Sequence, residues 1–261
     1  MWQPAYLASG ALVGVVIGLT GIGGGSLMTP LLILVFRQSP VVAVDTDLVF
    51  AAATKFVATA TSGLQRRVDW PVVGRMAAGS LPAALATLYW LKDTHDPGPE
   101  VASIVTRALA VMLLLTSASL VLQPRLQTVI REHALRPGRW PWLQPLATVV
   151  AGAIVGCAVT LTSVGAGALG TVALLFVYPL RLTPGRLVAT DLAHALPLAL
   201  VAGAGHAVLG HVDYGLLVTL LAGSIPGVLI GTWCAPRAPA WLLRGLISVM
   251  LAATGGRLLF A

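Results

Sequence analysis

Apolar runs separated by proline, glycine and arginine fill almost the whole chain. The breaks divide it into eight apolar segments, near residues 5–36, 41–64, 70–91, 101–122, 142–180, 186–209, 214–235 and 240–260. Six of these have the length of one tilted membrane helix, for which about 20 apolar residues suffice. The first and fifth are too long for one simple crossing, and each carries a glycine cluster near its middle. The pattern predicts an all-α polytopic membrane protein.

The two long segments also open two copies of one pattern. "TDL" at 46–48 returns at 190–192, "VDW" at 68–70 as "VDY" at 212–214, and "AGSLP" at 78–82 as "AGSIP" at 222–226. These pairs share one offset, because 191−47, 213−69 and 226−82 each give 144. Upstream, "TGIGGGSLMT" at 20–29 matches "TSVGAGALGT" at 162–171 with an offset of 142. Chance similarity among apolar helices is common, but ordered matches at polar, glycine and proline positions are not. The expected organisation is one integral membrane domain made of two repeats, 1–122 and 142–261, joined by a basic linker at 123–141. Each repeat has about four apolar segments, the first of them broken or re-entrant at its glycines.

Arginine placement suggests the orientation. The linker carries Arg125, Arg131, Arg136 and Arg139 and is expected on the cytoplasmic side, with the Arg66-Arg67 turn. The acidic loop around Asp93, Asp96 and Glu100 then lies opposite. If segment 142–180 doubles back, Arg181, Arg186 and Arg237 also fall inside; the repeats are then inverted.

Composition narrows the class. The hydrophobic fraction is 57% and the charged fraction 10%, far from the roughly one-quarter charge of soluble domains. The net charge of +7 comes from arginines scattered over short loops, without an aromatic-interleaved basic stripe, so nucleic acid is not an expected partner. Met1-Trp2-Gln3-Pro4 lacks a basic region, and no cleavable signal peptide is expected. Cys157 and Cys234 form neither a disulfide framework nor a metal motif and read as small buried hydrophobes. No metal and no cofactor is expected.

"GIGGGSLMTP" at 21–30 looks at first like a phosphate loop. As a dinucleotide fingerprint it fails at Ser26, and although "GAGALG" at 165–170 fits, both copies follow apolar helical runs rather than a β-strand. Gly10, Gly14 and Gly18, spaced by four, fit close helix packing. Gly23, Gly24 and Gly25 do not, because consecutive glycines sacrifice helix stability without adding a packing face. A helix break is expected here, tolerated at membrane depth where freed backbone lines a cavity. The half-helix starting near Ser26 would aim unpaired amides and a positive dipole end into that cavity. Ser26 and Thr29, with Thr162 and Ser163 beside Gly165 and Gly167 in the second copy, would add hydroxyl donors. Two such breaks meeting near the midplane would suit a small oxyanion.

The motif "GLTGIGGGSLMTPLL", its weaker second copy and the two-fold repeat resemble the sulfite exporter TauE/SafE family over essentially the whole chain. The second copy departs at Ser163, Ala166 and Val172, so the first break is the stronger half-site. The resemblance implies a multi-pass transporter of the bacterial inner membrane that moves sulfite, organosulfonates or related small anions, often outward.

Charged residues within the segments refine the site. An ionised Lys55 at the centre of segment 41–64 costs about 2.5–3.5 kcal/mol unless it faces a partner or cavity. It is the candidate counter-charge for an anion; a structural ion pair with Asp45 or Asp47 is the alternative. Asp47 and Asp191, each after a threonine, read either as helix caps or as proton-coupling groups. The coupling reading is better for Asp191, with His194 one turn on. Pro82 and Pro226 are equivalent kink positions. An intramembrane enzyme is disfavoured, since Ser80 in "AAGSLP" is not in a protease motif and no HExxH occurs. The expected function is a secondary carrier, with a passive anion channel as the alternative. Its partners are the bilayer and a small anion, and homo-oligomerisation is left open.

Overall fold

The computed structural model describes residues 4–20, 25–61, 67–93, 99–134, 141–210, 212–235 and 240–260. These form α1 (Pro4–Thr20), α2 (Gly25–Leu34), α3 (Pro40–Thr61), α4 (Trp70–Asp93) and α5 (Pro99–Ala134). They continue as α6 (Gln144–Thr162), α7 (Ala168–Val177), α8 (Pro184–Leu209), α9 (Tyr214–Cys234) and α10 (Ala240–Leu259). No strand occurs among the described residues. The protein is an all-α, multi-pass membrane protein.

Local chemistry sets the helix ends. Proline opens α1, α3, α5 and α8, where its missing N–H costs nothing. Asp213 caps α9 by accepting a hydrogen bond from the Leu216 amide at 3.0 Å. Gly210, at φ 90°, closes α8. Four helices (α5 over Ala102–Ile130, α6, α8 and α9) are long and apolar enough to cross a bilayer, while α1 and α7 are shorter apolar helices. Exposed Leu12, Ile154, Trp233 and Val249 give the bundle an outer surface suited to lipid.

Each long apolar segment is two helices. α1 ends at Thr20 and α2 begins at Gly25; α6 ends at Thr162 and α7 begins at Ala168. Gly23 and Gly24 lie outside the described residues. In the second break the turn is visible: Ser163 is left-handed (φ 59°) and donates its amide to the Val159 carbonyl at 2.7 Å, and Gly165 and Gly167 take φ of 112° and 116°. Those two values favour glycine, which accounts for the motif's spacing.

The helices pair across the halves, α1 on α9 and α4 on α6, with α3 against α8 in the middle and α5 against α10. Small residues make the crossings close. Gly10 and Gly14 lie against the Leu220 and Ser224 backbone, and Gly152 and Gly156 against that of Met76 and Ser80. A side chain at any of these glycines would strike a carbonyl oxygen. The same offsets of 142 and 144 carry one pair of contacts onto the other, with the halves exchanged.

α5 is longer than its apolar segment, and two expectations change. α5 runs on through Pro124 to Ala134, so the first part of the basic linker is helical. Cys157 is exposed on α6 rather than buried, because its face of the helix turns outward. Asp47 and Asp191 are not helix caps, since α3 and α8 already start at Pro40 and Pro184, two turns earlier.

Candidate functional site

α3 and α8 cross at the centre and bring matching residues from both halves together. Thr46 and Thr190 act as bolts: the Asp213 amide donates to Thr46 Oγ1 at 3.2 Å, and the Asp69 amide to Thr190 Oγ1 at 3.0 Å. Each bolt ties the first turns of α3 or α8, helices that open on a proline, to the other half, and it fixes the next residue, Asp47 or Asp191. Both carboxyls are buried. Thr29 on α2 donates to Asp47 Oδ2, and Thr171 on α7 reaches Asp191 Oδ2 at 3.2 Å. Thr171 Oγ1 also bonds the Gly167 carbonyl, anchoring the start of α7. Each half-helix that follows a break is therefore held by a threonine to a carboxyl on the central crossing.

Lys55 is buried on α3, and its charge faces both Asp191 and Asp47. Among the described residues the ion pairs are Arg181 and Arg186 with Asp69 and His206 with Asp45, so Lys55 is not in direct contact with a carboxylate. The expected pair with Asp45 does not form, because Asp45 takes His206 Nδ1 at 2.6 Å. His194, also buried, meets Ser80 Oγ of α4 through Nε2 at 2.8 Å instead of bonding Asp191.

Several polar atoms around this lysine are left over. Asp47 Oδ1, Asp191 Oδ1, His194 Nδ1 and Ser163 Oγ are buried without a hydrogen-bond partner. Ser163 lies beside the Asp47 carboxyl. Buried polar atoms are nearly always satisfied, and an orphan costs about 1–3 kcal/mol, so these atoms beside a buried lysine mark a candidate place for a polar guest. Gly170 makes room for the carboxylate, since a Cβ there would collide with Asp191 Oδ1.

The remaining expected site residues divide clearly. Thr162 is used structurally: its hydroxyl donates to the Ala158 carbonyl at 2.7 Å and accepts from the Val164 amide at 3.2 Å. Gly165 and Gly167 shape the turn, and the Leu169 amide returns to the Gly165 carbonyl at 3.1 Å. Gly25 is the first residue of α2, and the side chain of Ser26 lies outside the described residues. Sequence reasoning missed Thr171, although its offset of 142 from Thr29 points to it. It also missed Ser80 as a partner of His194, for which no sequence signal exists because the two lie 114 residues apart.

A broken-helix bundle with buried charges at its centre defines a class, the polytopic membrane transporters. Residues 6–258 match the family described as "Sulfite exporter TauE/SafE". The chain belongs to the sulfite exporter TauE/SafE family. It is similar to the "Probable membrane transporter protein YjnA" of Bacillus subtilis (strain 168), with 36% identity over 98% of this chain and 99% of the relative. It also resembles the "Probable membrane transporter protein YdhB" of the same organism, at 27% identity over 95% of this chain and 97% of that one. No solved structure matches the chain. The family sets the protein in a lipid bilayer, acting on a small substrate as a membrane transporter.

Proposed function

We propose that the protein is a secondary carrier, an exporter of the bacterial inner membrane, for a small sulfur-containing anion such as sulfite or an organosulfonate. The observation that carries this reading is Lys55, buried among unsatisfied polar atoms where the elements after both breaks converge. The lysine is the counter-charge. Ser163, with the amides and hydroxyls near Gly23, Gly24, Gly25 and Ser26, offers donors to the anion's oxygens; Thr29 and Thr171 position the carboxyls. The family name supports the substrate class.

The charge balance supports proton coupling. With both aspartates ionised, one lysine faces two carboxylates, and an added anion would be repelled. An anion is accommodated when Asp47 or Asp191 holds a proton, which ties substrate to proton. His194, hydrogen-bonded through Nε2 but free at Nδ1, is placed to exchange that proton. The two repeats are inverted in this reading, with the basic segment after residue 123 in the cytoplasm.

The test is anion binding by purified protein, ranked by thermal shift over sulfite, sulfate, thiosulfate, organosulfonates and carboxylates. A sulfur oxyanion is expected to stabilise most. Lys55→Ala is expected to stay folded and lose about 2 kcal/mol of binding, some thirtyfold in Kd. Unchanged affinity in that variant removes Lys55 from the site, and unitary conductance in a planar bilayer replaces the carrier by a channel.

A further inference from the structure

Arg107 stands apart from the charges described so far. It lies within the apolar stretch Ala102–Ile130 of α5, eight residues or about 12 Å from the start of the helix. The side chain is exposed and has neither a carboxylate nor a hydrogen-bond partner in the described residues. A cation at this depth is costly unless it meets an anion or reaches the interface.

Beside it runs a groove of about 650 Å³ between α5 and α6. Arg107, Val111 and Met112 form one wall, and Ile154, Cys157 and Thr162 the other. The groove surface itself is almost wholly apolar, since Arg107 lends it chiefly the stem of its side chain and the Thr162 hydroxyl is already bonded to the Ala158 carbonyl. The groove opens outward: Ile154 is 65% exposed and Val111 47%. On the outer wall of a membrane bundle its occupant comes from the bilayer. The chemistry needed is a negative group near Arg107 with a hydrocarbon tail below it.

We propose that this groove binds an anionic phospholipid, its phosphate on Arg107 and one acyl chain along Val111, Ile154 and Cys157. A zwitterionic headgroup fits less well, because its ammonium opposes the arginine. The occupant has a mechanical consequence. The Met112 methyl packs against Gly165 in the second helix break, so a chain in the groove holds Met112 in place and braces that turn. The lipid thereby supports one wall of the central site without touching the substrate.

Cys157 is an exposed free thiol in the groove and serves as the reporter. In a Cys234→Ser background it is labelled with bimane, and the full chain is placed in bilayers containing phosphatidylglycerol or phosphatidylcholine with brominated acyl chains. Phosphatidylglycerol is expected to quench with about fivefold higher apparent affinity, the factor that one arginine near the surface contributes. The preference should fall as salt rises, vanish in Arg107→Gln and persist in Arg107→Lys. Equal quenching by the two lipids in the unmutated groove overturns the proposal, as does quenching by neither. A preference that survives Arg107→Gln, or resists salt if that variant fails to fold, also overturns it. The measurement reads no transport, so it is independent of the carrier assignment.

Discussion

Lys55 is a buried lysine near two carboxyls that it does not touch, and both carboxyls are half-satisfied by threonines. Such an arrangement leaves the lysine's charge available to a guest. The neighbouring imidazole is aligned by Ser80, which makes Ser80 a positioning residue. Ser80→Ala is expected to leave the fold intact and lower the transport rate by about tenfold, short of the roughly 10²–10⁴-fold that a whole proton-transfer group contributes. A shifted pH profile, with substrate affinity nearly unchanged, distinguishes positioning from simple packing; an unaltered profile would make the serine structural. Lys55 was legible in the sequence because a lone lysine in an apolar run has a recognisable cost. Its electrostatic partner Asp191 lies 136 residues away by number (191−55), and only folding brings the two together.

At the scale of elements, glycine works in two different ways. In α1, α4, α6 and α9 it removes side chains where two backbones cross, so that carbonyl oxygens sit where a Cβ would be. Gly79→Ala places a methyl on the Val149 carbonyl and is expected to destabilise by about 1–3 kcal/mol, read as a lower Tm in detergent. Gly74→Ala, in open space on the same helix, is the control and should leave Tm within a degree or two. In the second break glycine supplies positive φ instead. The spacing Gly10, Gly14, Gly18 announced the packing role, since residues four apart share a helix face. The partners of those glycines were not legible, because small apolar helix faces resemble one another along the whole chain. Of the two readings of Asp47 and Asp191, capping fails for a related reason: a threonine–aspartate pair suits a helix start locally, yet the prolines two turns earlier had already started both helices.

Over the whole molecule, the halves hold each other through exchanged contacts. Gly152 and Gly156 repeat the packing of Gly10 and Gly14, and Asp69 on Thr190 repeats Asp213 on Thr46. The charges do not follow this rule. Asp69 is clamped by Arg181 and Arg186 at 2.8 and 3.3 Å, while Asp213 caps its own helix; Lys55 corresponds to Ala199. A near-symmetric frame thus carries an asymmetric set of charges, as the proposed carrier would need to distinguish its two sides. Collapsing the proton gradient across vesicles is expected to slow anion flux several-fold, and Asp191→Asn to make the residual flux insensitive to the gradient. Flux that ignores the gradient in the unmutated protein would leave Asp47, Asp191 and His194 as structural residues.

The sequence by itself determined the solvent, the number of apolar segments, the two glycine interruptions and the offsets between the copies. These follow from composition and periodicity, which act locally along the chain. Tertiary structure decided which distant groups come together: Lys55 near Asp47 and Asp191, His194 on Ser80, His206 on Asp45. It also decided that Thr162 closes a helix while Thr171 holds a carboxyl. The physical reason is reach. A propensity or a cap is settled within one turn of helix, whereas a buried polar contact forms only when packing brings its partner across the bundle.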